Sequence, residues 1–304
     1  MNSLTISELL IATKGKLVIG SENENIKDIV IDSRKANKDN VFVAVIGENL
    51  DGHKFMQSAY ENGCKTFIKN ASSSIKLNSS DINLIEVNNT QIALGDIAKY
   101  YKEKFDIPYI GVTGSVGKTT TRDMIYAAVS SKFNTLKNEG NLNNHFGVPL
   151  TLFNLDNSYD CAVIEMGMSN FKEIEYLANI VNPKIAVISN IGLSHIENLG
   201  SQEGILQAKM EITTNFNKSN TLVVNGDDKF LATLKEKDLN YNLKTFGFNK
   251  NNDIYCESYI INDDLTFICY IDGKKEEIFI PTVGEHNIYN AMAAILVGDR
   301  KSVV

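Results

Sequence analysis

What this sequence lacks narrows its chemistry before any motif is read. No uncharged apolar run reaches about 18 residues, the length a membrane-spanning helix needs. The first ten residues carry no basic flank ahead of an apolar core, so neither a membrane span nor secretion is expected. The four cysteines, Cys64, Cys161, Cys256 and Cys269, are scattered without a CxxC pair. That argues against a zinc site or a disulfide framework and for reduced thiols in a cytoplasmic protein. Positive charge is in short supply as well: a net charge of −7 suggests no basic face of the kind that nonspecific nucleic-acid binding requires. Low-complexity tracts and internal repeats are missing. What remains is 304 residues, 43% hydrophobic and 22% charged with both signs interspersed, a globular composition long enough for two domains with separate cores.

The front of the chain alternates short helices and strands. Thr5 and Glu8 make a capping-box pattern ahead of Leu9, Leu10 and Ile11, with Gly15 as the helix stop. Residues 41–46, 66–68 and 83–87 read as strands, and residues 54–62 as a helix closed by Gly63. Residues 70–81 form a polar loop, and Thr90 can cap a helix whose apolar face is Ile92, Leu94, Ile97, Ala98 and Tyr101. Beyond Pro108 a more regular pattern begins. Apolar runs at 109–112, 161–166, 185–189 and 221–224 alternate with helical segments, which predicts a mostly parallel sheet with helices on both faces. Residues 253–261, 265–271 and 277–280 read as antiparallel strands around Asp272-Gly273, followed by a helix over 287–297. The last six residues, Asp-Arg-Lys-Ser-Val-Val, continue no pattern and read as a translated sequencing-adapter tail.

The sharpest motif is Gly111-Val112-Thr113-Gly114-Ser115-Val116-Gly117-Lys118-Thr119-Thr120-Thr121, which follows an apolar strand and opens a helix. Glycines let the backbone fold around phosphate oxygens so that amides point inward, and the helix N-terminus adds positive potential. In this reading Gly114, Ser115, Val116, Gly117, Lys118, Thr119 and Thr120 hold a nucleotide triphosphate, Lys118 reaches the β- and γ-phosphates, and the Thr119 hydroxyl reaches Mg²⁺. The strict pattern wants glycine where Val112 stands, so Gly114 is expected to carry the tight turn. Phosphoryl transfer also needs carboxylates or histidines at neighbouring strand ends. Glu165, at the end of a strand, and His195, in the loop after residue 190, are the candidates; an ordinary surface acid and an unremarkable loop histidine are the competing readings.

These motifs together resemble the Mur ligase family over about residues 31–297. The resemblance is carried by the phosphate loop, Glu139 to Leu150, Glu165-Met166-Gly167-Met168, Asn190 to Glu197, Gln207-Ala208-Lys209-Met210-Glu211 and Gly284 to Ala291. It is most specific to the branch that adds a dipeptide. The fold it implies is α/β: a small mixed N-terminal domain (residues 1–88) for the UDP-muramyl substrate, then a central ATP-binding P-loop domain (89–298). A third, C-terminal domain of the family pattern would be missing after the tail at 299–304.

The implied reaction is ATP-dependent formation of an amide bond between UDP-N-acetylmuramoyl-tripeptide and D-alanyl-D-alanine in peptidoglycan synthesis, by a monomeric cytoplasmic enzyme. As it stands, the chain is expected to be inactive. The competing functions are the sister ligase that adds diaminopimelate or lysine as third amino acid, and a nonenzymatic P-loop module.

The resemblance also assigns residues. Thr119, Glu165, His195 and Lys209 match Mg²⁺ ligands at two sites, with Lys209 carbamylated by CO₂; an unmodified lysine would repel the metal, whereas a carbamate is an anionic ligand. Alone, Lys209 reads as a solvated lysine. Lys118, Lys209, His195 and Glu165 are then the catalytic set. Asn287 and Asn290, three apart on one helical face, match adenine-binding residues, with helix capping the other reading for Asn287. Ser33, Arg34 and His53 resemble the segment holding the UDP end of the substrate, and Asn141, Asn143 and Asn144 its substrate-facing loop.

Overall fold

The computed structural model describes residues 1–77 and 79–298; the tail at 299–304 lies outside them. Two compact units emerge, Met1–Asp106 with His145–Asn157, and Ile107–Asn144 with the chain from Ser158 onward. The division differs from the expected 88/89 boundary. Helix Thr90–Lys102 buries Leu94, Ile97, Ala98 and Tyr101 within the first unit. Tyr101 also donates its hydroxyl to Leu155 O at 2.6 Å, which ties the returning segment to that helix.

In the first unit a five-stranded sheet runs Lys16–Ile19, Asn83–Val87, Thr66–Asn70, Asn40–Val43, Asp28–Val30. The last four are parallel and the first is antiparallel to its neighbour. The capping box of Thr5 and Glu8 starts helix Ile6–Thr13 as expected, but Lys14, with φ 53, rather than Gly15 takes the left-handed C-cap. Asn89, not Thr90, caps the next helix. The Asn89 Oδ1 accepts from the amides of Gln91 and Ile92, while the Thr90 hydroxyl is buried and donates to Ala44 O.

The second unit is built on a nine-stranded sheet. Its order is Lys274–Ile280, Leu265–Ile271, Ile254–Ile261, Asn242–Gly247, Thr221–Asn225, Ile185–Ile188, Tyr109–Thr113, Cys161–Glu165, Thr135–Lys137. Pairing is parallel from Thr135–Lys137 across to Ile254–Ile261 and antiparallel in the last two ladders. The protein is thus mixed α/β with mostly parallel sheets. Strands Tyr109–Thr113, Cys161–Glu165 and Ile185–Ile188 are buried along their whole length, which is why they read as unbroken apolar runs. Ile110, Val112, Val163 and Val187 share one core with Ile125 of helix Lys118–Ser130 and Ile288 and Met292 of helix His286–Gly298.

Strand Tyr109–Thr113 lies between Cys161–Glu165 and Ile185–Ile188, which the chain reaches in opposite directions. At such a reversal the loops on the two sides diverge beyond the carboxyl ends of the strands and leave a crevice for ligands. The phosphate-loop motif begins at that point.

Candidate functional site

Leaving strand Tyr109–Thr113, the chain turns against the neighbouring strand end at 189–190. The Ser115 amide donates to Asn190 O at 3.1 Å and the Val116 amide to Asn190 Oδ1 at 3.0 Å. The Val116 carbonyl accepts from Ser189 Oγ at 2.9 Å and Asn190 Nδ2 at 2.8 Å. Gly114 is needed for this docking: a Cβ there would sit 1.9 Å from Ser189 Oγ. The left-handed turn is made instead by Gly117, with φ 77, so Gly114 serves close approach and Gly117 the turn. Helix Lys118–Ser130 follows directly, and Thr121 N→Gly117 O at 2.8 Å closes its first turn. The amides ahead of that bond have no intrahelical acceptor and lie at the positive end of the helix.

The side chains suit an anionic ligand. The Lys118 ammonium folds over the loop, donating to Gly114 O at 3.1 Å and Ser115 O at 3.3 Å; burial pushes its pKa down, with the nearby Glu165 opposing. The hydroxyls of Thr113 and Ser115 are buried without a hydrogen-bond partner, an arrangement that a bound oxygen ligand would relieve. Val116 and Thr120 are exposed.

Glu165 joins this loop from the next strand. Its carboxylate is 1% exposed and accepts from Thr119 Oγ1 at 3.0 Å and Arg122 Nη1 at 3.2 Å on one oxygen, and from Asn143 Nδ2 at 2.7 Å on the other. Asn138, fully buried, exchanges two hydrogen bonds with the Glu165 backbone. Lys209, on helix Gln202–Met210, is 2% exposed. Burial, and secondarily the charge of Lys118, push its pKa down to about 7. Near neutral pH much of this amine is therefore unprotonated and nucleophilic.

His195 is placed less decisively. It caps the short helix Ile196–Leu199 with left-handed φ 63, and the adjacent Ser194 Oγ reaches Ser115 O only at 3.5 Å. The His195 side chain is exposed. No group of three or more His, Cys, Asp or Glu side chains converges among the described residues. Any metal here would draw on Glu165 and the Thr119 hydroxyl, both hard oxygen donors of the kind Mg²⁺ takes, and on phosphate oxygens.

A cavity of about 360 Å³ opens beside the loop, lined by Val116, Gly117, Thr120, Asn190, Tyr289 and Asn290 among others. Asn290 accepts from Thr121 Oγ1 at 2.9 Å and donates to Asn287 Oδ1 at 3.1 Å, while Asn287 donates to Val283 O at 2.8 Å. Asn290 therefore ties its helix to the first turn of helix Lys118–Ser130 and also lines the cavity, whereas Asn287 holds Asn290 and its own preceding turn. Burial, and then Asp227, raise the pKa of Tyr289, whose hydroxyl lies 3.2 Å from Asp227.

In the first unit the candidate residues are used internally. Ser33 is buried and its carbonyl accepts from Asn62 Nδ2 at 2.9 Å. His53 is 1% exposed; its Nδ1 meets Asp51 at 2.6 Å and its Nε2 accepts from the Asn70 amide at 3.0 Å, which fixes the tautomer. Arg34 alone reaches outward, forked on Asp32, whose carboxyl it holds down at about 2. Of the 139–144 loop, Asn141 and Asn144 are exposed, and Asn143 turns to Glu165.

Sequence reasoning missed Arg122, Asn138 and Tyr289. Arg122 was detectable in principle, being three and four residues beyond Thr119 and Lys118 and so on their face of the helix.

Comparison with known proteins matches the chain to one family along most of its length. The Mur ligase middle domain matches residues 112–298, and the model described as Mur ligase family, catalytic domain, matches residues 25–102. The UDP-N-acetylmuramoyl-tripeptide–D-alanyl-D-alanine ligase of Bacillus subtilis (strain 168) is 37% identical over 295 residues, covering 97% of this chain and 63% of that protein. A crystal structure of MurF from Acinetobacter baumannii superposes with a TM-score of 0.90 at 32% identity, covering 97% of this chain and 64% of that one. MurF ligase from Thermotoga maritima, solved in complex with ADP, gives 0.80 at 28% identity, over 89% and 62%. The chain thus spans just under two thirds of the length of these relatives.

Proposed function

The chain belongs to the Mur ligase family, and we propose that it carries the substrate-binding and ATP-binding parts of a ligase joining D-alanyl-D-alanine to UDP-N-acetylmuramoyl-tripeptide in the cytoplasm. The observation that carries this is the Thr119–Glu165 hydrogen bond, which puts a buried strand-end carboxylate against the first turn of an anion-binding helix. ATP fits the loop: the inward amides and Lys118 meet the phosphates, and the cavity beside Asn290 takes the nucleoside end. The relative solved with ADP supports that reading.

In this reaction the tripeptide carboxylate attacks the γ-phosphorus of ATP, giving an acyl phosphate and ADP. The dipeptide amine then attacks the activated carbonyl and phosphate leaves. The difficulty is that two anions must meet. Lys118 and the first-turn amides of residues 117–119 are fixed before the reaction and cost no reorganisation as charge shifts. Mg²⁺, held by Thr119, Glu165, His195 and a carbamate on Lys209 at two sites, would supply further charge neutralisation. The fit is good at Thr119 and Glu165. At Lys209 it rests on the amine being neutral enough to take up CO₂, releasing a proton. Arg34 is the side chain that the first unit offers to the UDP-linked substrate, whereas Ser33 and His53 would shape the backbone around it.

Incubating a chain of the relatives' full length, with these residues intact, with ATP, Mg²⁺ and the UDP-tripeptide tests the proposal. Phosphate release dependent on D-alanyl-D-alanine is expected; release dependent instead on free lysine or diaminopimelate would assign it to the sister ligase.

A further inference from the structure

We propose that Arg122 is a positioning residue that locks the Glu165 carboxylate and the 139–143 loop into one arrangement. The proposal rests on the reading of Thr119 and Glu165 as magnesium ligands. Arg122 is 2% exposed. Its Nη1 donates both to Glu165 Oε2 at 3.2 Å and to Gly140 O at 3.1 Å. Its Nε and Nη2 donate to Asp123 Oδ1 at 3.1 and 2.9 Å, and Lys137 Nζ holds the same oxygen at 2.8 Å. The planar guanidinium is therefore gripped on one edge and grips on the other.

Each contact has a consequence for Glu165. A carboxylate turns easily about its last bond unless donors hold both oxygens. Here Arg122 and Thr119 hold Oε2, and Asn143 holds Oε1. Asn143 belongs to the loop whose Gly140 carbonyl Arg122 holds, so one side chain fixes the carboxylate directly and also fixes the donor on its far oxygen. Asn138 adds a second strut, donating to Leu142 O at 2.9 Å and Glu165 O at 3.0 Å. Lysine could not reproduce this, because a single ammonium lacks the fork that spans Glu165, Gly140 and Asp123 at once. If Arg122 served only to neutralise a buried acid, any buried cation in its place would do; if it positions, the geometry matters.

Calorimetric titration of ATP into the wild-type chain, Arg122→Lys and Arg122→Met, in chelator and in millimolar Mg²⁺, separates these roles. The ratio of ATP affinity with Mg²⁺ to that without is expected to fall about tenfold or more in both variants, as for other groups that orient a metal ligand. Amide exchange at residues 140–143 should also quicken by about tenfold in Arg122→Lys. Should Arg122→Met fail to fold, Arg122→Lys, which keeps the buried charge, carries the test. A wild-type ratio and wild-type loop exchange in folded Arg122→Lys would overturn the positioning role alone. Wild-type protein whose ATP binding ignores Mg²⁺ would overturn the underlying reading and this proposal with it.

Discussion

The phosphate loop and the Ser33–Arg34–His53 region carry equally polar candidates, yet their side chains are spent differently. Around residues 113–119 the backbone is tied down by its neighbours, while Lys118, the first-turn amides and two buried hydroxyls have bonding capacity left for a ligand. In the first unit the reverse holds. Ser33 is buried, both ring nitrogens of His53 are held by hydrogen bonds within the unit, and among these three Arg34 alone projects outward. Preorganised, unsatisfied donors mark the site where binding free energy is greatest, so the loop should dominate affinity for nucleotide and the first unit should contribute shape and specificity.

The largest effect expected is from Lys118→Ala, which removes the ammonium folded over the loop; ATP affinity should drop by roughly 100-fold or more in calorimetry, with the first unit's stability unaltered. An unchanged affinity would equalise the two regions and break the contrast. Next comes His53→Leu. Loss of the bonds to Asp51 and the Asn70 amide should cost about 1–3 kcal/mol in urea unfolding without weakening ATP binding; a fully stable variant would mean that the histidine is not a structural strut.

Lys209 sharpens the picture through pH. Its pKa is about 7 in the folded chain against 10.5 for the ordinary side chain. Between those values the unfolded chain holds a proton that the folded chain does not, so this group makes stability rise with pH from about 7 to about 10.5. Stability that the group provides in alkaline solution is lost as pH falls through 7. Lys209→Met should flatten that rise in unfolding measured across the window, and an unaltered slope would show that the amine is not desolvated. The smallest effect belongs to Arg34→Ala: the exposed pair with Asp32 contributes little to the fold, so the melting temperature should stay put while binding of a UDP-linked ligand weakens.

Much of the second unit was legible because its central strands are buried on both faces and spell themselves as apolar runs. The short strand Thr135–Lys137 and the polar Asn242–Gly247 escaped notice, the first for its length and the second because half of it is accessible. Strand Lys274–Ile280 was read only from Glu277 onward, since its charged first half faces solvent at the sheet edge. The phosphate loop was visible as a motif, but the division of labour between its glycines was not: the need for Gly114 comes from Ser189, 75 residues away in the chain. Asn138 and the turn of Asn143 toward Glu165 were hidden for the same reason, as each depends on strand order, whereas the helical spacing of Arg122 put it on the face of Thr119 and Lys118 without showing its partner Glu165. His53 illustrates the converse, a residue that the family resemblance placed in the substrate segment and whose ring nitrogens are both held by partners within the first unit.

The most direct test of the central claim is a crystal structure of the chain grown with Mg²⁺ and a non-hydrolysable ATP analogue. The account predicts the phosphates against the amides of residues 117–119 and Lys118, with a magnesium ion contacting Thr119 and Glu165. A nucleotide bound elsewhere, or a metal that ignores Glu165, would contradict it.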